Sequence, residues 1–527
     1  MIKRKLPISG VQTFSKLRNE YDVYVDKTMR VYEMISRYNV VFLSRPRRFG
    51  KSLLCSTIES VFRGQKELFE GLAISKTGWN WKEHPIIHLD LSAGNYTDNN
   101  GVIALKEKIN SQLKDCADKY GINIEFGEFL FIGFSKLIAE LSLKIGQVVV
   151  IIDEYDNPLL NTIDQPELNK RLREELKGFF SVLKQNDRYL QFAFVTGVTK
   201  FSQVSMFSGF NQPKDISMMP EYCDICGITQ EELEENFAPE IDMYAPKYGG
   251  RELYLRRLKE FYNGYFFTRE KKAVYNIFGI LNHFDNSSEF EPYWSKSGWP
   301  SFALNYFEMK NVNVVEIEEA EMEAGDFGDY RDNTITLFPL LYQAGYLTIS
   351  DYDESMGLYK LNYPNVEVRQ SLAKFLSQNY SVVDETIKKS TSSKLVKSLL
   401  DGKPDGFFTL LKIYLQKVDY SLSSKITEYY FEFAVSNIIN MLGLRCCNEV
   451  HTANGRIDSV IFAGEYIYIF EFKIDKPVED AMWQIEEKDY AALYADSGKS
   501  IIKTGIVFSR EARNIVEWKI ESNDIRR

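Results

Sequence analysis

The sequence predicts an α/β protein in three parts: residues 1–300 as a parallel sheet covered by helices, 301–423 as a mostly helical connector, and 424–527 as a compact α/β domain. Three observations carry that reading. A chain of 527 residues exceeds what one hydrophobic core holds comfortably, so two or three domains are expected. Residues 20 to 160 alternate short apolar runs with amphipathic stretches, the pattern of βα units. From about 424 the order becomes helix, three strands, helix and strand.

In the first part, Val40 to Ser44, Ile86 to Leu91, Val148 to Ile152 and Gln191 to Thr196 read as buried strands, and Ser52 to Phe62 as a helix. Glu-rich helical stretches follow at Thr229 to Asn236 and Arg251 to Tyr262. The acidic segment 311 to 333 reads as helix and exposed loop, and 335 to 420 as mostly helical without a chemical motif. The last part begins with an apolar-periodic helix from Thr427 to Leu442. Strands at Arg445 to Val450, Ile457 to Phe462 and Tyr466 to Phe472 precede a helix from Val478 to Tyr494 and a strand from Lys503 to Phe508.

With 44% hydrophobic and 26% charged residues the chain has the composition of an ordinary globular protein. Its net charge of -10 argues against a surface coated by nucleic acid, although a local basic groove fits within an acidic whole. The basic start, Met1 to Pro7, has no apolar segment after it and is not a secretory signal. No run approaches the roughly 20 apolar residues of a membrane helix, so a cytoplasmic protein without a membrane partner is expected. The six cysteines make no disulfide framework in so long a chain. Cys223 and Cys226 form one CxxC without a second pair nearby, which favours buried or idle thiols over a zinc site, and Cys446 and Cys447 read as filler on a strand.

Between the first strand and the helix after it stands Ser44-Arg45-Pro46-Arg47-Arg48-Phe49-Gly50-Lys51-Ser52. In a phosphate-binding loop of the GxxxxGK[ST] type, backbone N–H groups wrap the phosphates, the Lys meets the β and γ oxygens and the hydroxyl ligates Mg²⁺. Gly50-Lys51-Ser52 is intact, whereas Arg45 stands where the first Gly belongs. The flanking strand and helix supply the context that the mechanism requires. Arg45, Arg47 and Arg48 flank the phosphates, to neutralise charge or to touch a partner, and the role of Arg45 is open. Val148 to Ile152 ends in Asp153-Glu154, which would present Asp153 to the Mg²⁺ shell and Glu154 to a water for attack on the γ-phosphate. Thr196 ends the next strand, either as a γ-phosphate sensor or as a plain strand-to-loop turn. These residues, with Phe49, make ATP and Mg²⁺ the expected ligands.

Leu6-Pro7-Ile8-Ser9-Gly10, Tyr24-Val25-Asp26-Lys27-Thr28, Arg45 to Ser52, Ile152-Asp153-Glu154-Tyr155-Asp156-Asn157-Pro158, Thr196-Gly197-Val198-Thr199-Lys200-Phe201-Ser202, Tyr262-Asn263-Gly264-Tyr265 and Tyr275-Asn276 together resemble the bacterial AAA-ATPase-like proteins. The resemblance covers roughly residues 5 to 300. It implies a P-loop NTPase domain of the STAND/AAA-related kind, in which the Arg-Pro-Arg-Arg-Phe-Gly-Lys-Ser form is the normal one. It supplies no substrate.

The last part contains Gly455-Arg456-Ile457-Asp458, then Phe470-Glu471-Phe472-Lys473, then Gln484 and Tyr490. Side chains alternate along a strand, so Glu471 and Lys473 point to one face. Asp458 and Glu471 as Mg²⁺ ligands, with Lys473 to position a water or steady developing charge, would serve metal-assisted phosphodiester hydrolysis. The bland alternative is a turn at Asp458 and a solvated Glu471–Lys473 pair, but a Glu and a Lys inside an apolar strand call for an explanation.

This stretch resembles the PD-(D/E)xK nuclease superfamily in the version attached to AAA-ATPase-like domains, over about residues 424 to 512. The resemblance implies a restriction-endonuclease-like α/β domain, with Asp458, Glu471 and Lys473 on catalytic positions and Gln484 on the Gln of the following helix. A further acid comes from the preceding helix in many members. Glu428 is the first choice, Glu432 one turn on the second, and Glu449 is close enough to compete. Gly-Arg-Ile-Asp stands in place of Pro-Asp, a common substitution there, and members lose activity while keeping the fold. The leading expectation is an ATPase coupled to a Mg²⁺-dependent nuclease acting on DNA or RNA. The alternative is an ATP-dependent switch whose last domain binds nucleic acid or protein without cutting. A small-molecule kinase using the same loop is a third reading, against which the appended acid-and-lysine domain argues. Homo-oligomerisation is left open.

Overall fold

The apolar runs of the first part become a single parallel sheet in the computed structural model. This structure describes residues 4–7, 10–97, 100–200, 213–270, 272–294, 320–328, 337–372, 394–415, 435, 439, 444–452, 455–512 and 514–523. They divide into two units, Met1–Val368 and Arg369–Arg527.

In the first unit the strands β1 (Val40–Ser44), β2 (Ile86–Asp90), β3 (Val148–Asp153), β4 (Leu190–Gly197) and β5 (Lys214–Asp215) lie in the order β2-β3-β4-β1-β5. All neighbours are parallel. A parallel sheet is covered on both faces, which is why β3 is apolar up to its final Asp153 and buried throughout. Parallel neighbours need crossovers. Around the sheet run α1 (Phe14–Glu20), α2 (Thr28–Arg37), α3 (Lys51–Phe62) after β1, α4 (Gly101–Lys119) and α5 (Leu130–Lys144) between β2 and β3, and α6 (Pro166–Gln185) between β3 and β4. The register sets Ser44 beside Gly197 and Asp90 beside Asp153, so the carboxyl ends of the strands are level. Open α/β sheets meet their ligands at that edge.

A second core in this unit is built from α7 (Gln230–Asn236), α8 (Ala238–Tyr244), α9 (Arg251–Tyr262) and α10 (Ile277–Asp285). Thr229 opens α7 with a reciprocal capping box to Glu232. Leu233, Tyr254 and Leu281 from these helices, and Phe237 between α7 and α8, pack with Val23 and Val25 of the N-terminal segment.

The described residues of 335 to 420 are mostly helical, as expected, but they also hold two strands that the sequence reading omits. After α11 (Leu337–Ala344) come β7 (Thr348–Asp353) and β8 (Leu358–Asn362), an antiparallel pair extended by β6 (Glu321–Glu323) in the order β6-β8-β7. The cause is alternation, since Tyr359 and Leu361 are buried while Lys360 and Asn362 face out. The division between units at Val368 also differs from the boundaries at 300 and 423. Residues 337–368 are held to the first unit, where Asn365 donates to the Asn263 carbonyl at 2.7 Å and the Trp294 N–H to Glu367 at 2.6 Å. Gly264 lies at this seam with φ +95°, and an added Cβ would come 1.9 Å from the Pro364 carbonyl oxygen. Gly264→Ala is therefore expected to destabilise the first unit by about 2–4 kcal/mol, read as a lower midpoint in denaturant unfolding. An unchanged midpoint would contradict the close approach.

In the second unit β9 (Arg445–Thr452), β10 (Gly455–Ala463), β11 (Tyr466–Ile474), β12 (Ser500–Ser509) and β13 (Asn514–Asn523) form a sheet in chain order. β11 and β12 are parallel and the other neighbours antiparallel. Helix α12 (Pro404–Leu415) sets Phe407, Phe408 and Leu411 in a core with Phe470 and Phe472. On the alternate side chains of β11, Ile467 and Ile469 pack with Met482 and Ile485 of α13 (Val478–Glu487). The expected helix to Tyr494 stops at Glu487, because Asp489 takes a left-handed φ of +47° and a 3-10 segment follows. Strand β13 was not anticipated, although Ile515, Trp518 and Ile520 all turn toward apolar contacts. Of the helix expected over Thr427 to Leu442, only Val435 and Ile439 belong to the described residues, and both are helical and buried with Phe470. Among the described residues no helix is long and apolar enough to cross a membrane.

Candidate functional site

The carboxyl ends of β1 and β3 bring the two phosphate-site motifs together, although a hundred residues separate them in sequence. Gly50 turns the chain into α3 with φ +93°, a left-handed conformation that suits glycine at a helix N-terminus. Lys51, buried at the first position of α3, places its ammonium 3.1 Å from Glu154 Oε1 and donates to the Pro46 carbonyl at 3.2 Å. Burial opposes its charge, but the Glu154 and Asp153 carboxylates outweigh that and raise its pKa. Asp153 is itself raised, by burial first and by Glu154 next, against a hydrogen bond from Ser52. Ser52 and Asp153 are thus adjacent, the pair expected at a Mg²⁺ shell. Glu154 holds a left-handed φ of +51°, uncommon for a residue with a side chain, and remains partly open to solvent.

A cavity of about 610 Å³ opens from this loop, within the roughly 300–1,000 Å³ range of small-molecule sites. Arg47, Arg48, Phe49, Gly50, Lys51, Ser52 and Glu154 are on its wall. Arg45 is used differently. It is buried, donates to the carbonyls of Ser44, Ser217 and Tyr222 at 2.9, 2.8 and 3.1 Å, and stacks 4.1 Å from the Phe267 ring centre. Those bonds tie the loop to the chain beyond β5, which explains an arginine in the first-glycine place. The Arg47 carbonyl accepts the Trp294 indole N–H at 3.1 Å, and Arg48 reaches over Phe278 at 4.9 Å. Thr196 is buried in β4, and its hydroxyl has no hydrogen-bond partner among the described residues.

Two neighbours received no individual role from the sequence. Asp156 is buried and accepts from the N–H groups of Val198 and Thr199 and from the Thr199 hydroxyl, joining the ends of β3 and β4. Burial, then Glu154, pushes its carboxyl up to about 6. Asn157 donates to the carbonyls of Leu91 and Ser92 and joins the end of β3 to that of β2. The signal for both is the polar run that continues past Glu154 after an apolar strand.

In the second unit, Ser459 of β10 pairs with Phe470 of β11, which sets Asp458 next to Glu471. Asp458 accepts the Phe472 N–H at 2.8 Å, and Lys473 Nζ lies 2.8 Å from Glu471 Oε1. Glu471 is fully buried, and its Oε2 receives no hydrogen bond from a donor among the described residues. Burial, followed by the nearby Asp458 charge, pushes its carboxyl up to about 8 despite Lys473. Two carboxylates crowded around an unserved oxygen fit a divalent cation, whose charge would relieve both effects. Gln484 of α13 donates to the Tyr490 hydroxyl at 3.3 Å, and that hydroxyl donates to the Arg456 carbonyl at 2.6 Å. Asp458, Glu471, Lys473 and Gln484 are therefore gathered around one end of β10 and β11. Glu428 and Glu432 lie outside the described residues, as does the Glu449 side chain. Cys223 and Cys226 are buried free thiols, and among the described residues no three His, Cys, Asp or Glu side chains group as a metal site.

Known proteins match the chain at the same two places. A family model described as a predicted AAA-ATPase matches residues 7–207. A model of the PD-(D/E)XK nuclease superfamily matches residues 426–518. An uncharacterized protein in the vnfD 5' region of Azotobacter chroococcum mcd 1 is 34% identical over 537 residues, covering 99% of this chain and 100% of that protein.

Proposed function

The chain belongs to the AAA-ATPase-like proteins that carry a C-terminal PD-(D/E)XK nuclease superfamily domain, and from that premise we propose that it hydrolyses ATP in its first unit and cleaves DNA or RNA in its second. What supports the reading most is one feature present in each unit: a lysine meets carboxylates in a buried site, Lys51 against Glu154 from the end of β3, and Lys473 against Glu471, two residues before it, with Asp458 of the neighbouring strand alongside. Ser52 and Asp153 in the first unit, and Asp458 and Glu471 in the second, are the residues that would hold Mg²⁺, which supplies charge neutralisation of phosphate oxygens and a lowered pKa of bound water.

The remaining work falls to the protein's own groups. Lys51 binds phosphate oxygens at the start of α3, where the backbone N–H groups and the helix dipole also favour anions. Glu154 orients a water toward the terminal phosphate and takes its proton. Lys473 steadies charge that develops on a phosphodiester, and Gln484, held by Tyr490, lines the same site.

Lys51→Ala tests the first half by calorimetry with Mg·ATP. Removing a charged hydrogen-bond donor to phosphate is expected to weaken ATP binding by roughly 10 to 10²-fold. Unaltered affinity would remove the phosphate loop from the proposal.

A further inference from the structure

We propose that Trp294 and the end of α11 form a relay that carries the state of the phosphate loop to residues 345–368, through which the chain enters the second unit. This rests on the reading of the loop as a triphosphate site. Trp294 is buried and touches both ends of the route. Its indole N–H donates to the Arg47 carbonyl in the loop at 3.1 Å, and its backbone N–H donates to Glu367 Oε1 at 2.6 Å. Glu367 immediately precedes Val368, the last residue of the first unit.

The end of α11 is tied to two elements of the proposed phosphate site. Gly345 is pressed against the loop, since a Cβ added there would come 2.7 Å from Pro46 Cβ, and the ring of Tyr346 lies 5.0 Å from that of Trp294. On the other side Gln343, buried at the end of α11, accepts the Lys200 N–H at 3.0 Å, just past Thr196 and the end of β4. Thr348, at the start of β7, accepts the Phe266 N–H at 2.7 Å, beside the Phe267 ring that covers Arg45. Residues 343–348 therefore meet the loop at Pro46, reach Arg47 through Trp294, and hold the chain after β4 at Lys200.

One competition would set the relay in motion. Lys51 donates to the Pro46 carbonyl at 3.2 Å. A phosphate oxygen is charged and is the stronger acceptor for an ammonium, so a triphosphate would draw Lys51 off that carbonyl. The bond gives the two states of the loop the differential contact that a ligand-driven change requires. Pro46 bears on Gly345, and the next carbonyl, that of Arg47, holds the Trp294 indole. Close-packed groups shift together rather than deform, so a displacement at Pro46 and Arg47 would pass to Gly345 and Trp294, and from Trp294 to Glu367. The antiparallel pair β7–β8 joins Gly345 to the same Glu367, which makes 345–368 one element held at both ends by Trp294.

The test is amide hydrogen exchange on the full chain, with and without the slowly hydrolysed nucleotide Mg·adenylyl imidodiphosphate, whose binding is followed by calorimetry. In wild type the nucleotide is expected to change exchange over 345–368 by at least roughly threefold. Trp294→Phe keeps an aromatic ring and loses the donor to Arg47, and it should reduce that change to less than about 1.5-fold. Nucleotide affinity should stay within about threefold, because coupling is reciprocal and cannot exceed the factor it transmits. A merely structural role for Trp294 would raise exchange equally with and without nucleotide and leave the ratio alone. If Trp294→Phe loosens β1 to β4 in the absence of nucleotide, Gln343→Leu, which removes the acceptor for Lys200, is read by the same ratio. A wild type that binds the nucleotide without a response over 345–368 would overturn the relay and leave the phosphate reading intact. A full response in the folded variant would overturn it as well. Failure of wild type to bind the nucleotide would sink the phosphate reading on which the relay rests.

Discussion

Lys473→Ala and Glu471→Gln are each expected to lower phosphodiester cleavage by at least roughly 10²-fold, measured on labelled single- and double-stranded DNA and RNA with Mg²⁺ or Mn²⁺. The expectation comes from the crowding at the end of β10 and β11. Lys473 is the nearest cation to Glu471, at 2.8 Å, and Glu471 has one oxygen without a donor. A fold-preserving change is available, since glutamine keeps the shape of glutamate and removes its charge. Linkage supplies an independent readout. The Glu471 carboxyl is raised from 4.5 to about 8 in the folded chain, so folding favours its protonated form. Its contribution to stability is full below the unfolded value and is lost as pH rises through the folded one. Without divalent cation, Glu471→Gln should therefore unfold at a higher temperature than wild type near pH 8. Added Mg²⁺ should raise the wild-type midpoint by more than the variant's, because a ligand stabilises only the form that binds it and the variant keeps only the Ser52–Asp153 site. If cleavage persists undiminished in both variants, the assignment of this site is wrong. If neither wild type nor variants cut any substrate while Mg²⁺ still stabilises wild type more than Glu471→Gln, the domain binds the metal without cleaving.

Periodicity made the sheet of the first unit legible. Val40–Ser44 and Val148–Asp153 are uninterrupted apolar runs ended by polar residues, and Ile86–Asp90 is broken only by His88, as fits strands covered on both faces. Glu471 and Lys473 were legible for a similar reason, because charge within an apolar strand has few innocent explanations. Four features were hidden for different physical reasons. Leu358–Asn362 is a short strand whose alternation is lost among helix-compatible residues, and its pairing with β7 and β6 is set by contacts outside the segment. Arg45 looked like a phosphate ligand because a sequence shows its charge but not the carbonyls of Ser217 and Tyr222 that absorb it. The break after Glu487 depends on one left-handed residue, Asp489, which no periodicity announces. The cavity wall joins residues 7–25 to 225–281. Long-range packing of that kind leaves no local trace.

Glu154→Gln is expected to reduce ATP hydrolysis by roughly 10²–10⁴-fold, read as phosphate release, while ATP affinity is kept or rises several-fold. The two effects have one origin. With Lys51 3.1 Å from Glu154, the carboxylate occupies the ammonium that a phosphate needs, and Lys51 in turn holds the carboxylate from which a base is wanted. A triphosphate carries more negative charge than a carboxylate and would meet the backbone N–H groups at the start of α3 as well, so it would displace Glu154 from Lys51. Displacement would free Glu154 to accept a proton only once a phosphate is in place. Glutamine keeps the side-chain length and can still orient a water, but it competes weakly for Lys51 and accepts no proton. Binding therefore survives the change and turnover does not, the reverse of Lys51→Ala, in which affinity itself falls. Phosphate release at the wild-type rate in Glu154→Gln would move the base elsewhere. Asp156 is poorly placed to replace it, because three donors from Val198 and Thr199 already hold its carboxylate.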